Sequence, residues 1–474
     1  MRRPITSLVW IWCFLGLGIA AGQTSPQVPE PRVDARVELL SIVFRLAGNS
    51  EYNMDMLPGY SADIARYFAP YKNHPAVQMA HALAEKNGVS FDAVMAMAVS
   101  LSPPPELKPL VAFTPTVPEK RWGVSGAEGF LPFLRDFYRD SKFAEFYAAH
   151  QPLYRMAEER FGETLGSVNF NWYPHFYGRG PDLTYHLILG LNNGGGNNGP
   201  RLVHPDGSVE LFSIIGCWTH DDAGNPTYPP DKGYLSTIIH EFNHSFVNPA
   251  VAQHWSEFSG AEKLYAVVAE PMQRIAYANA QTMVDESLVR AAVIVYFQDG
   301  GEDSVHSLKR IRQEQRLGFF WMDRLVELLK QYQGERAKYP TFSSFMPQVA
   351  SFYRELGPRA AGALAAFEAK SARVIGIEPF ANHAQDVDPS LRSMTIVVDK
   401  PLDPGSGVSI NYGPKGRECY PIVGNPVFED GGRHILLPLK LKPNQEYSFV
   451  LTSARFATAD GYPLESYTVE FKTK

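Results

Sequence analysis

Apolar residues recur at helical spacing over residues 37–101 and again over residues 127–161. At the start of the first segment they fall at i, i+3, i+4 and i+7, which places them on one face of an amphipathic helix. The positions that show this spacing most clearly are Leu39, Ile42, Val43 and Leu46. The proline-rich stretch 102–105 interrupts the pattern, and the polar, proline-containing segment 24–33 precedes it. The pattern predicts a helical N-terminal region that follows a disordered segment.

The pattern changes in the middle of the chain. Residues 184–191 and 208–216 have the composition of buried strands, and the Asn- and Gly-rich stretch 192–200 between them predicts a flexible turn. Helical spacing returns over residues 231–370, and from residue 375 short alternating segments with turn residues predict an all-β sandwich. The strands predicted in this sandwich are 394–399, 408–412, 434–439, 447–452 and 467–472. The predicted fold class is therefore α+β.

The N-terminus has the composition of a signal peptide. Arg2 and Arg3 precede an apolar core at residues 8–21, and small residues at 20–22 place the cleavage site before Gln23. The apolar core is too short to span a bilayer comfortably, and a retained N-terminal anchor is the alternative. Since no later segment is apolar enough to cross a membrane, we predict a secreted or periplasmic protein without a transmembrane segment.

These patterns divide the chain into four parts. They are a signal peptide (1–22), a helical N-terminal region (23–160), a catalytic region continuous with it (161–373) and a β-sandwich (374–474). The net charge of −6 does not resemble the basic surface of a nucleic-acid binder, so we expect no nucleic-acid partner. Beyond the signal peptide, Cys217 and Cys419 form neither a disulfide framework nor a close zinc-binding pair.

One segment carries the pattern of a catalytic zinc site. An apolar stripe typical of a buried helix runs through it, at Leu235, Ile238, Ile239, Phe242 and Phe246. His240 and His244 are four residues apart on another face of this helix, so their imidazoles lie one turn apart. Asp231 is predicted to cap the start of the helix, and Asn248 with the proline after it is predicted to end it.

Two imidazoles at this spacing can bind one zinc ion, at about 2.0–2.1 Å from each nitrogen. Glu241 lies one residue further round the helix and can reach a water on the metal. Because zinc lowers the pKa of such a water towards ~7, a carboxylate can take its proton at neutral pH. We therefore predict Zn²⁺ as the cofactor and Glu241 as the general base. The alternatives are a helix that carries these residues without a metal and a zinc site without catalysis.

The third zinc ligand does not follow from the common spacings. A metzincin would have a glycine at position 247 and a histidine at position 250, where this chain has Val247 and Ala250. The usual gluzincin spacings would place a glutamate at position 263 or 264, where this chain has Lys263 and Leu264. The metzincin subclass is therefore excluded, and the remaining candidates are Glu257, Glu262, Glu270, Glu286 and His254.

Glu286 is the favoured third ligand. It begins a segment, residues 285–297, that is predicted to be a helix with apolar residues almost all round. A buried carboxylate there is costly unless a cation or a metal pairs with it. The alternative is an acid in the first helical turn that pairs with Arg290 at i+4. Glu270 has the same kind of partner in Arg274.

Two further features of a peptidase have candidates in the sequence. Tyr277, Tyr296 and His254 are in range to stabilise an oxyanion, and none is favoured over a structural role. The strand at 208–216 precedes the motif helix and is a candidate for the sheet edge on which a peptide substrate adds a strand.

The motif segment resembles a bacterial family, a domain of unknown function, of predicted secreted zinc metalloproteins. The resemblance covers roughly residues 35–360, and the segments that show it are 37–48, 74–77, 234–249 and 286–291. It implies a zincin-like, mostly helical metallopeptidase fold of the gluzincin type with a small sheet, and it supports Glu286 as the third ligand. The family has no settled substrate.

The C-terminal region resembles a bacterial immunoglobulin-like domain of the S-layer type. The segments that carry this resemblance are 386–390, 399–403 and 461–473. Such domains are usually spacers or binding accessories, so the resemblance implies a contact with a cell surface or a glycan.

The leading functional prediction is an exported zinc peptidase that acts on proteins or peptides. An amidase or deacetylase that acts on non-peptide amides would use the same activated water. A surface binding or adhesion protein with a structural or vestigial zinc site is the alternative from another class. A catalytic zinc keeps a position for water, whereas a structural zinc is closed by four protein ligands.

Overall fold

The computed structural model describes residues 29–178 and 183–474. In these residues the buried apolar side chains form two clusters, one drawn from residues between Val33 and Ala360 and one from residues between Ala372 and Phe471. Helices and sheets are both present, so the α+β prediction is confirmed. The predicted signal peptide, residues 1–22, lies outside the described residues.

The first cluster begins with a set of helices. They are α1 (Ala35–Ala47), α2 (Pro58–Phe68), α3 (Pro75–Asn87), α4 (Asp92–Val99), α5 (Val124–Asp140), α6 (Phe143–Ala149), α7 (Gln151–Leu165) and α8 (Trp172–Tyr177). Leu39, Ile42 and Val43 are fully buried on α1, as their spacing predicts. The side chain of Asp34 caps the start of α1, and Gly48 ends it with a φ of 99°.

The central sheet brings together segments that are far apart in the sequence. Its strands are β1 (Pro31–Arg32), β2 (Leu183–Gly190), β3 (Arg201–Val203) and β4 (Val209–Gly216), in the order β1-β2-β4-β3. β1 and β4 run parallel to β2, and β3 is antiparallel to β4. The two predicted strands are confirmed. The predicted disorder at 24–33 is wrong for Pro31–Arg32, because these residues pair with Leu187 and Ile188.

The prediction that the strand at 208–216 is a free sheet edge is wrong. β2 pairs with β4 on one side, and residues 198–203 cover the other side. Asn198 and Ile214 exchange backbone hydrogen bonds of 2.9 and 2.8 Å. The edge is therefore the segment 197–203, most of which comes from the Asn- and Gly-rich stretch.

A second set of helices completes the first cluster. They are α9 (Tyr234–His254), α10 (Ala261–Arg274), α11 (Ala280–Asp299), α12 (Ser304–Arg316), α13 (Met322–Gly334), α14 (Phe342–Leu356) and α15 (Ala360–Glu368). The motif lies on α9, which packs against β4 and α11. Two predicted limits of this helix are wrong. The N-cap is Gly233 rather than Asp231, and the helix continues past Pro249 because Val247 and Val251 are buried around the proline.

The second cluster lies between two antiparallel sheets. Their strands are β5 (Val374–Glu378), β6 (Ser393–Val398), β7 (Ile410–Tyr412), β8 (Val427–Glu429), β9 (His434–Pro438), β10 (Glu446–Leu451) and β11 (Tyr467–Lys472). The sheet orders are β5-β6-β9-β8 and β11-β10-β7, and all five predicted strands are present. Arg312 of α12 donates a 3.1 Å hydrogen bond to the backbone carbonyl of Asp460. Arg316 of the same helix donates a 3.1 Å hydrogen bond to the backbone carbonyl of Gly461.

Within the described residues, no helix combines the length and the apolar character that a bilayer span requires.

Candidate metal centre

The two motif histidines lie side by side on α9. The Nε2 atoms of His240 and His244 are 3.1 Å apart, and the planes of the two rings are inclined at 80°. On the other side of the helix Ile238, Ile239 and Phe242 are fully buried. The apolar face therefore fixes the helix against the core and leaves both imidazoles at the wall of a cavity.

Glu286 of α11 completes a group of three. Its Oε2 is 3.5 Å from Nε2 of His240, and its Oε1 is 3.5 Å from Nε2 of His244. Two ligand atoms that bind one zinc tetrahedrally at 2.0–2.1 Å are separated by about 3.3 Å, because the angle between the bonds is about 109°. The nitrogen–nitrogen separation of 3.1 Å and the two nitrogen–oxygen separations of 3.5 Å, which involve different oxygens of the Glu286 carboxylate, are close to this value. One ligand atom from each of the three residues lies within 4.8 Å of the other two, so the three side chains converge closely enough to hold one ion.

The outer nitrogen of one histidine has a partner that orients the ring. Nδ1 of His244 lies 3.1 Å from the side-chain oxygen Oδ1 of Asn248, one turn further along α9. An amide oxygen can only accept, so Nδ1 carries the proton and Nε2 is left with its lone pair. This is the tautomer that a metal ligand needs.

The charges around the histidines shift their pKa values in opposite directions. Burial, His244 and Arg290 together hold the pKa of His240 well below its ordinary value. Burial also opposes the charged form of His244, but the nearby carboxylates of Glu286 and Glu241 outweigh it and raise the pKa of this ring. His240 is therefore neutral and ready to bind a metal, whereas His244 must first lose a proton at acidic pH.

Glu241 is the carboxylate that remains free. It is buried, with 7% of its surface exposed, and it lines the same cavity as His240 and His244. Burial and the charge of Glu286 raise the pKa of Glu241 to about 7. Its side chain has no hydrogen-bond partner in the part of the chain that the structure describes. A buried carboxyl group without a partner and with a pKa near neutrality suits proton transfer.

The cavity has a volume of about 1120 Å³. Its lining includes residues of α9 and of the start of α11, together with Phe91, Asp92, Ala96 and residues 119–121. The sheet edge, residues 197–200, also lines the cavity.

The Asn- and Gly-rich segment reaches the cavity because its start is anchored and because it lacks a side chain where it contacts α9. Its start is held by the buried carboxylate of Glu38, which accepts a 2.8 Å hydrogen bond from the backbone amide of Leu191. A Cβ atom on Gly199 would overlap the backbone carbonyl oxygen of Glu241, so only glycine allows the segment to lie directly against α9. The sequence prediction of a flexible turn missed this role. The run of glycines was the available signal.

A family model matches residues 31–352, which is more than half of the chain. The chain belongs to this family, described as Domain of unknown function (DUF4932). The matched segment contains the central sheet and the three clustered side chains, and it ends before the C-terminal sheets. No curated protein matches this DUF4932 chain.

Solved structures with some likeness to the chain are those of surface layer protein SbsC. The structure of domains 1–6 is 15% identical and covers 52% of this chain and 34% of that chain, with a TM-score of 0.17. The N-terminal part of the same S-layer protein is 16% identical and covers 51% of this chain and 64% of that one, with a TM-score of 0.18. The match thus spans less than two thirds of either solved chain. TM-scores this low indicate neither a shared fold nor a shared function.

The other ligand candidates lie elsewhere. Glu270 is 75% exposed and pairs with Arg274 at 3.2 Å. His254 pairs with Glu257 at 2.8 Å, near the end of α9. Glu262 is exposed on α10. Among the described residues, His240, His244 and Glu286 are the His, Cys, Asp or Glu side chains that converge in a group of three.

Two of the oxyanion candidates are engaged in different contacts. The hydroxyl of Tyr296 accepts a 2.6 Å hydrogen bond from the backbone amide of Asn169, and its ring packs against Trp172. Tyr277 does line the cavity, but its hydroxyl donates a 2.8 Å hydrogen bond to Oε2 of Glu286. Tyr277 therefore contacts a candidate metal ligand. The sequence prediction did not include this role for Tyr277.

Proposed function

We propose that this chain is an exported zinc-dependent hydrolase, and specifically a peptidase, in which His240, His244 and Glu286 hold the metal and Glu241 is the general base. The observation that carries the proposal is the convergence of these three side chains: the two Nε2 atoms are 3.1 Å apart, and each lies 3.5 Å from one oxygen of the Glu286 carboxylate. Export is inferred from the sequence of residues 1–22 alone.

The proposed chemistry depends on the carboxyl group of Glu241, which has no hydrogen-bond partner among the described residues. Zinc bound to this donor set would lower the pKa of a water molecule and polarise a carbonyl group. Glu241 takes the proton of the attacking water and transfers it to the leaving amine, so its carboxyl group serves first as a base and then as an acid. A group with a pKa of about 7 can do both near neutral pH.

A catalytic rather than structural site is supported by the number of ligands. Structural zinc sites are closed by four protein side chains, whereas catalytic sites combine three with a water. In the described part of the chain three such side chains converge. A fourth position would therefore be left for water or substrate.

A peptide substrate is supported by the sheet edge beside the general base. The backbone N–H and C=O of Gly199 make no hydrogen bond within the described residues, while the neighbouring Asn198 pairs inward with Ile214. A free backbone donor and acceptor at a sheet edge can pair with an extended peptide. The same segment packs against the backbone of Glu241, which places such a peptide next to the proposed base.

We infer a zincin-like fold for the catalytic region and an immunoglobulin-like fold for the C-terminal region. The first is supported by a helix with paired histidines that packs on a sheet and on a second helix with the glutamate. The second is supported by strand order. Sheets β5-β6-β9-β8 and β11-β10-β7 correspond to the ABED and GFC sheets of a seven-stranded immunoglobulin domain. A contact of this domain with a cell surface or glycan belongs to the proposal.

The test is cleavage of an unbiased peptide library by the mature chain, together with measurement of its zinc content. We expect cleavage that a chelator abolishes and added zinc restores. Glu241→Gln should keep zinc and lower turnover by about 10²- to 10⁴-fold, the usual contribution of a general base. Glu270→Gln, which changes an exposed glutamate on the neighbouring helix, is the matched control and should be fully active.

Each result separates the alternatives. Zinc binding without peptide cleavage, but with hydrolysis of non-peptide amides, would replace the peptidase by an amidase or deacetylase. Zinc binding with neither activity would favour a binding protein. Unchanged turnover in Glu241→Gln would refute the assignment of the base.

A further inference from the structure

The carboxylate of Glu286 is held by groups outside the three proposed ligands. Its Oε2 accepts a 2.8 Å hydrogen bond from the hydroxyl of Tyr277. That hydroxyl in turn accepts a 2.7 Å hydrogen bond from the guanidinium group of Arg290. Arg290 also forms a 2.8 Å ion pair with Glu314 of α12. The chain of contacts therefore runs from Glu314 through Arg290 and Tyr277 to Glu286.

Tyr277 is held in place by its backbone. Its amide donates a 2.9 Å hydrogen bond to the carbonyl of Met272, and its carbonyl accepts a 3.0 Å hydrogen bond from the hydroxyl of Tyr265. The preceding residue, Ala276, has a φ of 66°, a conformation that is unfavourable for alanine. The loop thus presents the Tyr277 hydroxyl from a fixed position at the wall of the cavity.

The positive charge of Arg290, close to the metal site, is compensated by the acidic side chain of Glu314. Only 19% of its side chain is exposed, and its Nε lies 3.6 Å from Oε2 of Glu286, beyond hydrogen-bond distance. A buried guanidinium beside a cation site would repel the cation if no acid compensated its charge. Glu314 supplies that compensation at 2.8 Å. The arginine can then orient Tyr277 without opposing a divalent ion.

We propose that Tyr277, Arg290 and Glu314 are positioning residues that fix the orientation of the Glu286 carboxylate and so set the zinc affinity of the site. The inference rests on the proposed zinc site. With Oε2 tied to the tyrosine hydroxyl, the carboxylate cannot rotate freely about its terminal bond, and Oε1 remains 3.5 Å from Nε2 of His244. Outer partners of this kind typically change metal affinity by about 10- to 100-fold.

The test is the zinc dissociation constant of the mature chain, measured by competition with a chromogenic chelator. Tyr277→Phe should weaken zinc binding by about 10- to 100-fold, because the hydrogen bond to Glu286 is lost while the ring is kept. Tyr296→Phe is the matched control. This tyrosine is on α11, and its hydroxyl accepts a hydrogen bond from the backbone amide of Asn169 instead. It should leave the zinc dissociation constant within twofold of the wild type.

A second pair of variants tests the charge. Glu314→Gln leaves Glu286 as the nearest acid to Arg290 and should weaken zinc binding by about tenfold, whereas Glu314→Asp keeps the charge and should restore most of the affinity. The control is Glu302→Gln, which breaks a similar 2.8 Å ion pair with Arg310 on α12. It should not change zinc binding.

The outcomes separate this inference from the proposed function. If the wild type binds zinc and both Tyr277→Phe and Glu314→Gln bind it equally well, the positioning role is refuted. If the wild type binds no zinc, the metal site itself is refuted. If the wild type binds zinc and the variants bind it less tightly, but no substrate is cleaved, the positioning role stands and the hydrolase does not.

Discussion

Replacing Glu38 by glutamine should make the stability of the protein less dependent on pH. Glu38 is fully buried, and burial raises the pKa of its carboxyl group to about 7 despite hydrogen bonds from Tyr60 and the backbone of Leu191. A carboxyl group that binds its proton more tightly when folded favours the folded state at low pH. That contribution is lost as the pH rises from about 4.5 to about 7.

The difference between an unfolded pKa near 4.5 and a folded pKa of about 7 corresponds to roughly 3 kcal/mol in total. About 2 kcal/mol of this falls between pH 5 and pH 8, because part of the titration lies below pH 5. Glutamine has no titration, so Glu38→Gln should lose about 2 kcal/mol less stability than the wild type over this interval. Any constant cost of the substituted amide cancels in the comparison.

The assay is urea unfolding of the chelator-treated protein at pH 5 and pH 8. Glu270→Gln removes an exposed glutamate and serves as the control, with an expected pH dependence equal to that of the wild type. Equal pH dependence in Glu38→Gln and the wild type would show that the buried carboxyl group does not titrate in this range. The raised pKa of the Glu38 carboxyl group would then be wrong.

Three further predictions concern the site. Glu286→Ala should lower zinc affinity by more than the roughly 10- to 100-fold expected for an outer partner, as measured by chelator competition. Asn248→Ala removes the acceptor of His244 Nδ1 and should lower the affinity by about tenfold in the same assay. Gly199→Ala places a methyl group against the backbone of Glu241, so urea unfolding should show a loss of about 1–3 kcal/mol. A Gly199→Ala protein as stable as the wild type would contradict the close packing of Gly199 against Glu241.

The helices and strands that could be predicted are those that depend on the spacing of apolar residues within one segment. Helix α1 follows from the spacing of Leu39, Ile42 and Val43, and the strands of the C-terminal sheets follow from alternation bounded by turn residues. The two histidines and Glu241 are recognisable for the same reason, since a single helix sets their spacing.

Features that depend on distant pairing were not predictable. Pro31–Arg32 is a strand only because β2, about 150 residues later, offers its backbone. The end of α9 was misplaced because burial of Val247 and Val251 outweighs the breaking effect of Pro249.

The third member of the cluster illustrates the same limit. The sequence favours Glu286 because of its place in an apolar helix, but its approach to His240 depends on the packing of α11 against α9. The contact of Tyr277 with Glu286 depends on the α10–α11 loop, for which the sequence carries no recognisable motif. The covered edge of β4 was missed because a glycine-rich stretch gives no strand signal of its own.

The most direct test of the account is a crystal structure of the zinc-loaded protein with diffraction data collected at the zinc absorption edge. We expect an anomalous peak about 2.0–2.2 Å from Nε2 of His240, Nε2 of His244 and a carboxylate oxygen of Glu286, with no fourth protein ligand. A peak elsewhere, a fourth protein side chain on the metal, or no peak between these residues would contradict it.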